Sequence, residues 1–232
     1  MPLFLKYRDT SATELMDDPD CDHAALVRTY RQFTILNSLI SRWKTIYKKQ
    51  VFPLAARSES VITLLDIGFG GGDIPVKLNR WAEKDGIQLE ITAIDNDERA
   101  YRFVRQKALP ESIHFRLAST ADLIREGSAF DIVISNHLLH HLDGKALASL
   151  FDDARRLSTN RVLFNDIERS DAGYLLFNLL SRPFFRRSFI TRDGLTSIRR
   201  SFTFRELKET VPDGWKVSRL FPFRLLARYH HA

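Results

Sequence analysis

Beyond Pro53 short apolar runs alternate with helical stretches, in the order "VITLLDI", a helix from about Asp73, "LEITAID", a helix from about Asp97, "IHFRLA", "FDIVIS", a helix from about Asp143, and "RVLFND". Strands separated by helices of about ten to fifteen residues imply βαβ units, because parallel neighbours cannot be joined by a tight hairpin. Such units stack into a parallel sheet with helices on both faces, so the expected class is doubly wound α/β. Two later runs, "GWKVSRLFPF" and "RLLARYHH", meet near Pro222 and read as terminal strands, which brings the expected strand count to seven.

The flanks differ from this core. From Asp22 to Lys49 the apolar positions Leu26, Tyr30, Phe33, Leu36, Ile40, Trp43 and Tyr47 recur every three or four residues, predicting one amphipathic helix or two consecutive ones. After "RVLFND" the alternation pauses. Residues 171–200 mix aromatic and aliphatic residues with arginines, and Pro183 is expected to break any single helix there. A helix restarts at "TFRELKETV", where Thr203 and Glu206 have capping-box spacing. The 232 residues are thus expected to form a single domain: a helical cap (1–55), a ligand-binding core (56–170), a helical lid insert after the fifth strand (171–200) and a closing helix with a strand pair (201–232).

Apolar residues make up 44% of the chain, too many for disorder, and no run of eighteen apolar residues or leader-like N-terminus is present. A cytoplasmic protein is therefore expected. The one cysteine, Cys21, cannot form an internal disulfide, and with His23 it is too sparse a donor set for a metal site. Residues 181–200 carry six Lys/Arg against one acid, although the whole chain has a net charge of only +6. This local excess suits an acidic group or an anionic membrane surface as well as a merely solvated face.

The stretch "LLDIGFGGGDIP" joins the first strand to the next helix at the usual ligand site of a doubly wound sheet. A dinucleotide turn would place its third glycine at position 73, but Asp73 stands there. Asp66 and Asp73, flanking the turn, are poor company for a pyrophosphate and suit a ligand bearing an ammonium and a sulfonium. Asp73 also has the chemistry of a helix N-cap.

"LLDIGFGGGD" resembles the first motif of class I S-adenosylmethionine (SAM) dependent methyltransferases, "ITAIDND" resembles their second, and "FDIVISNHLLHHL" resembles their fourth-strand motif. The resemblance runs from about Val61 to the C-terminus. It implies a Rossmann-like seven-stranded sheet, mostly parallel with the last strand antiparallel, and SAM as cofactor. It also implies a cofactor set of Asp66, Gly68, Gly70, Gly72, Asp95 (on the ribose hydroxyls), Asn96 and Asn136. Many family members place an aspartate after the third strand for the adenine; "LASTADL" offers Ser119 or Asp122 instead.

Methyl transfer from a sulfonium is an in-line displacement that gains most from alignment and exclusion of water, and a phenolic acceptor must also lose a proton. His137, His140 and His141 follow the fourth strand, while Asn165 and Asp166 end the fifth. His137 and His141 are the expected bases, and Asp166 is expected either in the site or as a helix cap. His140, Asn165, Phe177 and Phe184 are the expected acceptor contacts. No metal centre is expected, because the carboxylate-rich cage of a hard cation is missing. The nearest resemblances are to small-molecule methyltransferases of the ubiquinone and menaquinone type and to those acting beside type III polyketide synthases. They imply O-methylation of a hydrophobic phenol or quinol, with C-methylation of a quinol ring, or tRNA or protein methylation, as alternatives. A nicotinamide-dependent reductase and a SAM-binding protein without catalysis are the readings from other classes. No nucleic-acid partner is expected, since no RNA-binding module is recognisable, whereas the basic aromatic insert suits peripheral membrane contact.

Overall fold

The computed structural model describes residues 2–231. Seven strands form one sheet: β1 (Ile62–Ile67), β2 (Leu89–Asp95), β3 (Ile113–Leu117), β4 (Phe130–Asn136), β5 (Ser158–Ile167), β6 (Lys216–Leu220) and β7 (Arg224–His230). Their order is β3-β2-β1-β4-β5-β7-β6, with β1 to β5 parallel and β7 antiparallel to both its neighbours. The doubly wound, mostly parallel sheet expected from the alternation is the observed one. Strand order reverses between β1 and β4, which opens a crevice beyond their carboxyl ends.

The central strands read as continuous apolar runs because helices cover both their faces. On one face Leu65, Val133, Val162 and Phe164 pack with α7 (Gly144–Leu157) and α10 (Phe204–Thr210). On the other, Leu64, Ile91, Ile132 and Leu163 meet α2 (Trp43–Ile46), α3 (Phe52–Ala55) and α4 (Asp73–Lys84). Two shorter helices, α5 (Glu98–Arg105) and α6 (Thr120–Arg125), complete the crossovers. Side-chain caps fix where several of these helices start: Asp97 for α5, Ser119 with Asp122 for α6, Asp143 for α7, and the expected Thr203–Glu206 box for α10.

The helical preface is broken once. The first helix, α1 (His23–Ile40), ends at Ser41, and Arg42 takes a left-handed φ of 63° before α2 begins and passes through a π turn at Tyr47–Val51 into α3. In the insert, α8 (Asp171–Phe184) and α9 (Ile190–Arg200) are separate helices, but the break is not at Pro183. That proline sits in the last turn of α8, where it costs a single backbone hydrogen bond, and the chain turns at 185–189 instead.

Residues 2–22 form a strap across the ends of α8 and α9. Leu5 N donates to Asp171 (3.0 Å), Asp9 N donates to Arg199 O (3.1 Å), and Asp193 accepts from Leu15 N (2.9 Å) and Met16 N (3.0 Å). Arg169, fully buried, donates to the carbonyls of Leu5, Lys6 and Ser201 and pairs with Glu206. The expected cap, 1–55, therefore has two parts: the strap bound to the insert, and the helices bound to the sheet. No helix of the described residues is long and apolar enough to cross a membrane.

Candidate active site

A cavity of about 1440 Å³ occupies the crevice above β1 and β4 and extends under α1, α8 and α9. This exceeds the ~300–1,000 Å³ typical of a single small-ligand site and leaves room for two molecules.

One end is built from the turn after β1. Gly68, Gly70 and Gly72 have φ of 78°, 51° and 71°, a region in which residues with a Cβ are strained. They serve different ends. A Cβ on Gly70 would meet no atom within 4 Å, and Gly70 lines the cavity, so its missing side chain leaves open space for a ligand. A Cβ on Gly72 would lie 2.8 Å from Val104 and 3.0 Å from Phe115, and Gly72 does not line the cavity. The expected cofactor role of Gly72 is thus corrected to a packing role, letting α4 close on β3 and α5.

The acids around this turn are also distinct. Asp95 ends β2, accepts from Gly70 N at 2.8 Å and from Asp97 N at 3.0 Å, and keeps free lone pairs on the cavity wall beside Asn96. Asp66 is buried on the same wall and its Oδ1 has no hydrogen-bond partner. Burial, reinforced by Asp73 and Asp95, raises its pKa well above the usual carboxylate range. Asp73 is the first residue of α4 rather than its cap, which is Gly72, and its carboxylate is held by Asn37 (3.0 Å) and Lys77 (2.6 Å). Ser119 reaches the wall, but Asp122 does not: it is committed to Ser119 N at 2.8 Å and to Arg125, completing the cap of α6. The loop after β3 therefore offers the cavity Ser119 and not a carboxylate.

The histidines sit on the wall beyond β4. His137 has a left-handed φ of 62°, donates its N–H to Asn165 O (2.9 Å), and leaves Nε2 buried without a partner. Burial and the nearby Arg224 guanidinium lower its pKa well below the usual value, so the ring is neutral at pH 7. His140 is buried between two carboxylates: Nδ1 lies 2.7 Å from Asp166 Oδ1, and Nε2 lies 3.5 Å from Glu14 Oε1 without making a hydrogen bond. Burial opposes a charge there, but Asp166 and Glu14 outweigh it and raise His140 to about 9. His141 has the same kind of environment on a wetter site, with Nε2 3.7 Å from Glu14 and Nδ1 3.4 Å from Asp17.

Two further residues are displaced from their expected roles. Asp166 does not line the cavity; both its oxygens serve His140, at Nδ1 and at the backbone N (3.0 Å), so it positions that ring and neither touches an acceptor nor caps a helix. Asn165, expected on the acceptor, is buried behind the wall, donating to Ser41 O (2.8 Å) and Asn136 Oδ1 (3.0 Å). Asn136 does reach the wall, but its Oδ1 also accepts from Trp43 Nε1 at 2.9 Å, tying β4 to the α1–α2 break.

Residues 64–160 match the family model described as a methyltransferase domain. The chain carries a methyltransferase domain. No curated protein matches the sequence. Solved structures share the fold: the plantazolicin methyltransferase BpumL in complex with SAH superposes with a TM-score of 0.64 at 13% identity, covering 92% of this chain and 91% of that one. Magnesium protoporphyrin IX methyltransferase (ChlM) from Synechocystis PCC 6803 with bound SAH gives 0.55 at 14% identity, covering 83% and 84%. An O-methyltransferase family protein from Burkholderia thailandensis gives 0.58 at 17% identity, covering 88% of this chain and 58% of that one.

The far end of the methyltransferase cavity is apolar. Leu176, Phe177, Leu180 and Phe184 of α8 line it together with Ile35 and Leu39 of α1. Phe177 is wedged so closely on α9 that a Cβ on Gly194 would lie 2.4 Å from its ring, whereas Phe184 is 73% exposed at the mouth. Glu14, Asp193 and Arg224 also line this cavity, and the sequence did not single them out. Glu14 comes from a segment whose pattern marks only polar surface, and Asp193 from the insert, whose pattern marks aromatic, aliphatic and basic residues but no acid. Arg224 follows the strand turn at Phe221–Phe223, where a lone arginine in an apolar run was the one available signal.

Proposed function

We propose that the methyltransferase transfers a methyl group from SAM to a hydroxyl of a hydrophobic phenolic or quinol small molecule. The observation that carries this reading is the two-ended cavity, with a glycine-and-acid wall continuous with an apolar wall in one space large enough for donor and acceptor together. The donor is S-adenosylmethionine. The chain's groups fit it: Asp95 has lone pairs for the ribose hydroxyls, the open face of Gly70 admits close approach, and the unpartnered Asp66 carboxyl suits an ammonium. When bound, SAM supplies an electrophilic methyl group.

The chain's residues do the rest. The α8 and α1 side chains hold the acceptor and exclude water, which sharpens alignment for an in-line transfer. Neutral His137, whose ring lines the cavity, takes the hydroxyl proton, a contribution of about 10²–10⁴-fold. Asp166 holds His140 in place behind it. Phe184 is exposed at the mouth and Leu175 and Leu179 are exposed elsewhere on α8, with Arg182, Arg186 and Arg187 close in sequence, a combination suited to peripheral contact with an anionic bilayer from which an apolar acceptor would enter. The test is methyl transfer from labelled SAM to a panel of phenols, quinols and RNA, with the label localised by mass spectrometry. Label on a phenolic or quinol oxygen supports the reading; label on ring carbon or on RNA alone replaces it.

A further inference from the structure

The turn Leu139–His141 and the strap bring Glu14, His140 and His141 together, with one donor atom from each within 4.8 Å of the others. All three line the cavity. The distances to the shared oxygen, Glu14 Oε1, are 3.5 Å from His140 Nε2 and 3.7 Å from His141 Nε2. Metal–ligand bonds of about 2.0–2.2 Å in tetrahedral geometry place donor atoms roughly 3.3–3.6 Å apart. The two separations from Glu14 thus fall at or just beyond that spacing, and the remaining one lies within 4.8 Å.

The surroundings suit a metal. His140 Nε2 is buried and makes no hydrogen bond of good geometry, its one polar neighbour being Glu14 Oε1 at 3.5 Å. Each ring presents its other nitrogen to a carboxylate: His140 Nδ1 to Asp166 at 2.7 Å and His141 Nδ1 to Asp17 at 3.4 Å. That arrangement fixes ring orientation and leaves Nε2 as the donor, the usual outer shell of metal-ligating histidines. Glu14 Oε1 is itself held by Ser197 Oγ at 2.7 Å, and Arg200 locks the carbonyls of His140 (3.3 Å) and His141 (3.1 Å).

We propose that Glu14, His140 and His141 form a binding site for a divalent transition metal of the zinc class. Two imidazoles and one carboxylate suit Zn²⁺ rather than Mg²⁺ or Ca²⁺, which need mostly oxygen ligands. A three-ligand set would leave a fourth position open, beside the cavity that all three residues line. This site does not depend on the proposed methylation reaction, and binding alone decides it. It also departs from the expectation of no metal centre, which considered hard cations and could not place Glu14 beside the histidines.

The test is titration of the chelator-treated full chain with Zn²⁺ by calorimetry and with Co²⁺ by absorption. One ion per chain is expected, with the ligand-field bands of a four- or five-coordinate cobalt. His141→Ala, whose side chain is partly exposed and should leave the fold intact, is expected to weaken binding at least 100-fold, and Glu14→Gln similarly. Absence of stoichiometric binding to folded wild-type protein overturns the proposal. So does wild-type affinity in His141→Ala, which would place the ion at the surface histidines His23, His230 or His231.

Discussion

The two ends of the cavity are made of different materials. The donor end is mainly backbone and short acids: glycines with positive φ, Asp66 and Asp95, all within or beside β1 and β2. The apolar end, the proposed acceptor end, is mostly side chain, contributed by α1, α8 and the turn before β7, with the strap bound to α9. A backbone cradle at a rigid sheet edge has few ways to vary and suits a constant ligand. An apolar wall of side chains can be resized by single substitutions, which suits a ligand chosen by shape. The contrast teaches that cofactor affinity and acceptor choice should respond to separate mutations.

The largest expected effect falls on the strap. Arg169→Ala leaves three carbonyls and Glu206 without their buried partner and should cost about 3–5 kcal/mol of stability. For a chain of this size that is a drop of roughly 10 °C or more in Tm, read by thermal unfolding. SAH affinity measured below the transition should stay near wild type; a parallel collapse would show that the two ends are one cooperative unit.

Next is Gly70→Val. A branched side chain at φ 51° is strained and fills the open space beside Asp95, so SAH affinity should fall by at least about 100-fold in a folded protein, as read by calorimetry. Undiminished affinity would move the donor away from the turn.

A smaller effect concerns Asp66. Its raised pKa means the free protein holds the carboxyl protonated over part of the range above the ordinary carboxylate pKa. A bound ammonium favours the ionised form, so binding releases a proton and affinity rises with pH, by up to about tenfold per unit, until the raised pKa is passed. Calorimetry in two buffers of different ionisation enthalpy counts that proton. Asp66→Asn should abolish the release and flatten the profile; an unchanged profile would assign the proton elsewhere.

The same contrast governs what the sequence discloses. The β1 turn and the acid ending β2 are contiguous motifs whose spacing follows from local geometry, so the sequence places Gly70, Asp66 and Asp95 at the crevice, where the structure has them on the cavity wall, and it marks the α10 capping box. Gly72 and Asp122 were misplaced because a packing glycine and a cap acid carry the same letters as ligand-binding ones. The acceptor end depends on which distant segments meet. Nothing local distinguishes Glu14 from the other acids of residues 9–22, and Asp166 looks like a site residue until its hydrogen bonds to His140 are seen. Asn165 was misread for a similar reason, since its role is to hold the Ser41 carbonyl at a helix break that periodicity alone did not locate.

Calorimetric titration of SAH into Asp95→Ala and Phe184→Ala, side by side with wild type, tests the division of the cavity most directly. A loss of about 1–3 kcal/mol is expected for Asp95→Ala, from charge-assisted hydrogen bonds to the ribose in the proposed binding mode, and no change beyond about twofold for Phe184→Ala at the cavity mouth. Equal losses in both variants, or a loss confined to Phe184→Ala, would contradict that division.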